Sequence, residues 1–163
     1  MNTFEWIRES NLIEGVDDPQ EDARCERVWK ILLETRQLSI MTIKMIHFGI
    51  MNELRPDIAG RLRVVNVQVG GHVCPNWRTV EHSLKTWVDT FRQAGAHLTI
   101  VGATHAGEEI RVAHVEFEKI HPFEDGNGRT GRMLMNWQRV RAGLAPLLIK
   151  ASERQAYYEW FRD

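Results

Sequence analysis

The sequence predicts a mainly α-helical fold in one domain, residues 1–163, with one short β-hairpin. Three observations predict it. Apolar residues recur at three-to-four-residue spacing along most of the chain, the repeat of amphipathic helices. One stretch, Arg61 to Val69, changes to alternation: Val65, Val67 and Val69 are separated by Asn66 and Gln68 and followed by Gly70-Gly71. A segment dense in glycine and charge, His121 to Arg132, then joins two strongly periodic stretches. At 163 residues, 43% apolar and 26% charged, the chain is long enough for a proper core and ordinary for a soluble globular domain.

The elements follow in order. Residues 3–14 read as a short helix burying Phe4, Trp6 and Ile7. Asp18-Pro19-Gln20-Glu21 opens a second helix with Asp at N-cap, Pro at N1 and Glu at N3. It is expected to reach Arg36 and to bury Cys25, Val28, Trp29 and Leu32. Ser39 caps a third, with Ile43, Ile46, Ile50 and Leu54 inward, ending before Pro56; His47 on it reads as a packed or half-exposed histidine. The alternating segment gives a strand, and Val73-Cys74 returns beside it; a lone hairpin is marginal and must lean on helices. Asn76 caps a helix burying Val80, Leu84, Trp87, Val88 and Phe91, with Gly95 as its end and residues 96–103 as a loop. Thr104 caps the next helix, which carries Ile110, Val112, Ala113, Phe117 and Ile120 toward His121. The helix after the loop carries Met133, Leu134, Trp137 and Val140 until Gly143 and Pro146 break it. Residues 151–162 read as a final helix whose Tyr157, Trp160 and Phe161 pack back as core.

The joining loop is His121-Pro122-Phe123-Glu124-Asp125-Gly126-Asn127-Gly128-Arg129-Thr130-Gly131-Arg132. Pro122 disfavours helical backbone at His121 and so ends the preceding helix there. Gly126 and Gly128 allow a tight turn and close approach to a ligand. A helix opened by glycines presents unpaired N–H groups and a positive dipole end, an anion site. Arg129 and Arg132 are three residues apart, a spacing that lets both face one anion. Asp125 is a hard oxygen ligand suited to Mg²⁺ carried by a di- or triphosphate. His121, with an ordinary pKa near neutrality, suits taking a proton from an incoming hydroxyl. Base, metal ligand, anion cradle and arginine clamp are the parts phosphate-transfer chemistry needs.

These twelve residues resemble the signature of the Fic family, His-Pro-Phe-x-(Asp/Glu)-Gly-Asn-(Gly/Lys)-Arg-x-x-Arg, and match it at every specified position. The resemblance implies a compact helical Fic fold and transfer of AMP from ATP to a Ser, Thr or Tyr hydroxyl of a target protein. It implies His121 as general base and Asp125 as Mg²⁺ ligand. Gly126, Asn127 and Gly128 would form the anion hole for ATP with Arg129 assisting, Arg132 would hold the γ-phosphate, and Phe123 would anchor the loop. Gly128, where Doc-like members carry lysine, favours nucleotidyl transfer over phosphorylation. Residues 61–74 would be the flap on which an unidentified protein target docks by strand addition, with self-modification open to the same chemistry. Upstream, Ser10-Asn11-Leu12-Ile13-Glu14-Gly15 resembles the family's inhibitory motif, (Ser/Thr)-x-x-x-Glu-(Gly/Asn), on a helix within residues 1–16. Ser10 and Glu14 share a helix face, and Glu14 would pair with Arg132 and obstruct the γ-phosphate. In some members this glutamate instead positions a water and the enzyme removes AMP.

Other readings are narrowed by the same residues. An EF-hand read from Asp125 finds Arg129 and Thr130 at its fifth and sixth positions and Asn136 at its twelfth, which excludes it. His114 and His121 are separated by about 10 Å of helical rise, too far for one metal ion. From Asn127 to Ser152 there is no acid but Arg129, Arg132, Arg139, Arg141 and Lys150, so a nucleic-acid-binding helical module is the competitor from another class. A net charge of −1 gives that module no domain-wide basic face. Cys25 and Cys74 form no CxxC pair. The first residues have no signal-peptide pattern, and no long apolar run spans a membrane, so the expected location is cytoplasmic.

Overall fold

Helices α5 (Ala103–Ile120) and α6 (Asn127–Arg141) pack along one another and carry the signature loop between them. The computed structural model describes the backbone of residues 4–101 and 103–162, and the side chains of residues 4–92 and 105–162. Around that pair lie α1 (Glu5–Ile13), α2 (Pro19–Glu34), α3 (Ile40–Met51), α4 (Val80–Val101) and the short α7 (Arg154–Tyr158). Between α3 and α4 the strands β1 (Gln68–Val69) and β2 (His72–Val73) pair antiparallel, Gln68 opposite Val73 and Val69 opposite His72. Gly70 and Gly71 make the turn with φ of 54° and 88°, a left-handed region open to glycine at no steric cost.

Local chemistry sets the helix starts as expected. The Asp18 carboxylate accepts from the Gln20 N–H at 2.8 Å with Pro19 at the first helical position, and the Ser39 hydroxyl accepts from the Thr42 N–H at 3.0 Å. The main core joins Trp6, Ile7, Val28, Trp29, Leu32, Ile43, Ile46, Ile50, Leu84, Trp87, Phe117, Phe123 and Leu134, contributed by α1 to α6 and the loop. Phe123 is fully buried, so the loop is bolted into the core by its own side chain; truncating such a phenylalanine to alanine costs about 3–5 kcal/mol. A smaller cluster of Ile13, Ala106, Ile110, Met135, Ile149 and Tyr157 seats the C-terminal segment against α1, α5 and α6.

Several expectations are corrected. Helix α2 stops at Glu34 and α3 at Met51, and Leu54, expected inward, is 41% exposed in the turns that follow. The hairpin is two residues per strand, and Val65, Val69 and Val73 are exposed; the alternation marks an unsupported ribbon, while the buried residue on the Val65 face is Arg63. Gly95 does not end α4, which continues helically to Val101, so residues 96–101, expected as loop, are helix; their side chains lie outside the described ones. Helix α5 begins at Ala103, which places Thr104 inside it. The final helix is broken into α7 and two flanking 3₁₀ turns, Ala151–Glu153 and Glu159–Phe161, with Tyr157 buried as expected. Among the described residues no helix is long and apolar enough to cross a membrane.

Candidate active site

His121 closes α5: its N–H donates to the Phe117 carbonyl at 3.1 Å, and its φ of 49° turns the chain out of the helix. It is the one non-glycine with positive φ among the described residues. Left-handed backbone costs a side-chain-bearing residue about 1–2 kcal/mol, and Pro122 bars the helical alternative. Burial lowers the His121 pKa, a hydrogen bond with the Glu118 backbone opposes that, and the Arg63 cation adds to the lowering. The imidazole is therefore neutral at neutral pH, the form that accepts a proton.

Gly126 caps α6 with φ of 77°, and the first intrahelical bond runs from the Thr130 N–H to the Gly126 carbonyl at 3.1 Å. The N–H groups of Asn127, Gly128 and Arg129 precede it and have no intrahelical acceptor, which makes an anion cradle at the positive end of the helix. The Asn127 side chain is spent locally. Its Oδ1 accepts from the Phe123 N–H and its Nδ2 donates to the Phe123 carbonyl, both at 2.9 Å, locking the turn. Asn127 thus offers the cradle its main chain. Asp125 is exposed beside it, with Oδ1 accepting from the Gly126 N–H at 2.6 Å. Among the described residues no group of three or more His, Cys, Asp or Glu is arranged to hold a metal. A lone exposed carboxylate at an anion cradle fits Mg²⁺ that arrives with phosphate and takes most of its oxygens from phosphate and water.

The two signature arginines are both buried, and they diverge. Arg132 donates from Nε to the Ser10 hydroxyl at 2.9 Å and from Nη2 to the Ser10 carbonyl at 2.9 Å and Glu14 Oε1 at 2.7 Å. Arg129 turns toward α2 and α3, with Nη2 on Met51 Sδ at 3.1 Å and Nη1 3.9 Å from Glu21 Oε2, while its Nε and Nη1 have no hydrogen-bond partner. The expectation that both face one anion is not met by these directions, because α2 supplies Arg129 with a buried acid of its own. Ser10 on α1 and Glu14 at its C-cap, one turn apart, converge on Arg132, the pairing implied by the resemblance to the inhibitory motif. The Glu14 carboxylate lies over Gly128: a Cβ there would collide with Glu14 Oε1 and stand 2.9 Å from Arg132 Nη1.

Four residues outside the signature complete the site. Tyr157 accepts at its phenolic oxygen from Arg132 Nη1 at 3.3 Å, so its own hydrogen points to His114 Nε2, 2.8 Å away. Burial pushes His114 down to about 3, which keeps that nitrogen an acceptor. His47, fully buried rather than half-exposed, accepts from the Gly60 N–H at Nδ1 (2.9 Å), so its Nε2–H donates to the Asp125 carbonyl at 2.9 Å; the ring stacks on Phe123 at 3.7 Å. Arg63 binds the carbonyls around His121. The one signal for Arg63 is its parity: it falls on the same face as Val65, Val67 and Val69, a cation on the side predicted to be buried.

Comparison with known proteins gives the same picture. Residues 37–138 match the profile of the Fic/DOC family. A protein adenylyltransferase Fic from Nematostella vectensis is 31% identical over 157 residues, 96% of this chain and 35% of that protein. Protein adenylyltransferase fic-1 of Caenorhabditis elegans is 33% identical over 152 residues, 93% of this chain and 28% of that protein. The solved structure of C. elegans Fic-1, residues 134–508, superposes with a TM-score of 0.79 at 26% identity, covering 96% of this chain and 53% of that one. The chain spans about a third of the length of the curated relatives it matches.

Proposed function

The chain belongs to the Fic/DOC family, and on that premise we propose that it is a protein adenylyltransferase, moving AMP from ATP to a hydroxyl of a target protein, with Glu14 as its brake. One observation carries the reading: a neutral, partly buried histidine at the end of α5 stands across a single turn from the first three N–H groups of α6, which have no intrahelical acceptor. The names of the relatives support the same chemistry.

In this mechanism the ATP phosphates rest on the N–H groups of Asn127, Gly128 and Arg129, with Gly126 giving the turn and Gly128 leaving room for close approach. Mg²⁺, held by the nucleotide and Asp125, would neutralise charge on the phosphates. A target Ser, Thr or Tyr hydroxyl attacks the α-phosphorus while His121 takes its proton. A new P–O bond forms to the target and the bond to the β-phosphate bridging oxygen breaks, releasing pyrophosphate. Arg132 stabilises the γ-phosphate once it is free of Glu14; Arg129 assists from beneath, holding the start of α6 through its buried contacts. The hairpin at residues 61–74 presents the target, since its strands are short, exposed and unpaired along their outer edges. Cytoplasmic residence and self-modification belong to this same proposal.

Glu14 competes with the γ-phosphate for Arg132 and occupies space above Gly128, so resting activity is low. The position of its carboxylate in the cradle also suits holding a water for the reverse reaction, removal of AMP. The test is transfer from α-labelled ATP with Mg²⁺, comparing wild type, Glu14→Gly and Glu14→Gly/His121→Ala, each with and without cell lysate. Label on protein with Glu14→Gly that vanishes in the double variant is expected. Equal labelling by wild type and Glu14→Gly would remove the brake, and labelling that survives His121→Ala would remove the base.

A further inference from the structure

Arg63 is 2% exposed and ranks among the largest fully buried side chains, although it stands at the root of an exposed hairpin. Its side chain binds main-chain carbonyls. Nε donates to His121 O at 2.7 Å, Nη1 to Val65 O at 2.8 Å, and Nη2 to Pro75 O at 2.6 Å and Ile120 O at 3.3 Å. Its main-chain N–H donates to Pro122 O at 2.9 Å. A buried guanidinium facing neutral acceptors carries a desolvation cost that lowers its pKa, so what it binds matters.

The four carbonyls fall in two groups. Ile120 is the last residue of α5 and His121 the first beyond it, so their carbonyls lack intrahelical donors, and a cation there also meets the negative end of the helix dipole. His121 is in addition the residue with the left-handed backbone, a conformation that persists only when its surroundings over-determine it. Val65 and Pro75 lie at the two ends of the hairpin, just before β1 and just after β2. One planar fork thus joins the roots of the hairpin to the backbone that aims His121. The geometry of the fork suits arginine alone, since lysine offers one ammonium to acceptors spread around a plane.

We propose that Arg63 is a positioning residue for the reaction: it holds the His121 backbone in its left-handed turn and ties it to both roots of the hairpin, so that base and presented hydroxyl keep one frame. This rests on the adenylyltransferase reading, and its mark is a loss in the chemical step with nucleotide binding intact. A hairpin free of the base would let the hydroxyl wander relative to His121, and misplacements of about 1 Å cost on the order of 100-fold in rate.

The experiment uses the full chain in the Glu14→Gly background. Arg63→Lys keeps the charge and loses the fork; Arg63→Gln loses both. Leu84→Ala, a core truncation in α4 far in sequence from the site, serves as a destabilised control. Expected is a fall in kcat of tenfold or more for Arg63→Lys with the KM for ATP within twofold, while Leu84→Ala at a temperature giving the same folded fraction keeps its kcat. In parallel, side-chain NMR titration of His121 should show altered shifts in both Arg63 variants, and a higher pKa in Arg63→Gln because the neighbouring cation is gone. Unchanged kcat and unchanged His121 resonances in a folded Arg63→Lys protein overturn the proposal. Absence of label from the Glu14→Gly parent would sink the activity reading, and the NMR arm would still decide whether Arg63 sets His121. Should both variants fail to fold, the parent decides: an Arg63 Nε–H that exchanges at solvent rates overturns the anchor, and a protected one supports it.

Discussion

Replacing Glu14 with glycine should weaken the fold and tighten nucleotide binding at once. Glu14 contributes one short charge-assisted bond to Arg132, 2.7 Å long, and its side chain is 35% exposed against 3% for Arg132. Hydrogen bonds to charged groups are worth roughly 1.5–3 kcal/mol; exposure of one partner to water and salt reduces this contact to about 1–2 kcal/mol. Arg132 keeps its bonds to the Ser10 hydroxyl, the Ser10 carbonyl and Tyr157, so the variant stays folded. For a domain of this size the loss lowers Tm by about 2–8 °C. If phosphate must displace Glu14 to reach Arg132, the same energy is returned on binding, and affinity for a Mg²⁺ complex of a non-hydrolysable ATP analogue rises about 5- to 30-fold. Isothermal titration calorimetry on wild type and Glu14→Gly, with melting curves on the same samples, reads both quantities. Opposite signs are the discriminating feature, because general loosening would lower Tm and weaken binding together. Equal affinities alongside a lowered Tm would refute competition at Arg132 and leave Glu14 as a structural ion-pair partner only.

Two further predictions concern buried titratable groups. His47→Ala orphans the Gly60 N–H and the Asp125 carbonyl and removes the ring stacked on Phe123, so it should cost about 2–4 kcal/mol in urea melts. Burial lowers His47 to about 4 from 6.5; native protein then binds fewer protons than unfolded chain between those values, and its contribution, full above pH 6.5, is lost as pH falls toward 4. Comparing the two proteins at pH 8 and pH 5 should show the stability gap narrowing at the lower pH; a constant gap would mean that folding leaves the pKa of the ring unshifted. Glu118 runs the other way: burial raises it to about 8, and its Oε1 is buried without a partner where a Cβ on Gly131 would collide with it. Its penalty grows as pH rises from about 4.5 to 8, so Glu118→Gln should gain stability above pH 8 relative to wild type and match it near pH 4. A variant less stable than wild type at pH 8.5 would show that the carboxylate has a partner worth more than its burial costs.

The parts of the site that sequence made legible are those fixed by local rules. Asp18-Pro19, Ser39 and Gly126 act through residues one to four positions away, so capping and turn chemistry locate them. Ser10 and Glu14 are one turn apart, and that spacing puts both on one face; that the face meets Arg132, more than a hundred residues away, is implied only by the resemblance to the inhibitory motif. What sequence missed depends on distance. His47 touches Asp125, and Arg63 touches His121, across separations of 78 and 58 residues; no local pattern tells a histidine on an apolar helix whether it will be a bridge or filler. The α4 boundary failed for a related reason: glycine in a helix costs about 1 kcal/mol, too little to end α4 at Gly95. The hairpin failed in the opposite direction, since alternation predicts a half-buried strand only where something covers one face, and Val65, Val69 and Val73 are exposed.

Three buried arginines surround the signature loop, and their partners differ in whether they can leave. Arg63 is bound to carbonyls of the chain itself, which cannot depart without unfolding the hairpin roots and the end of α5. Arg129 faces Glu21, a 3%-exposed acid held by Arg24 at 2.6 Å inside α2, and Met51 from α3; withdrawing that acid would strand charges in the core, at a cost of several kcal/mol. Of the three, Arg132 alone is paired with an acid at the C-cap of α1, partly in water and followed by Gly15 with a φ of 75°. Glu14 can swing into solvent by side-chain rotation, leaving α1 docked through Trp6, Ile7 and Ser10. The charge freed by that motion is the one placed beside the open N–H groups of α6. If Glu14 is the proposed brake, a competing anion would release it without rearranging the core, so the affinity change on removing Glu14, rather than any change of fold, is the quantity that tests the proposal.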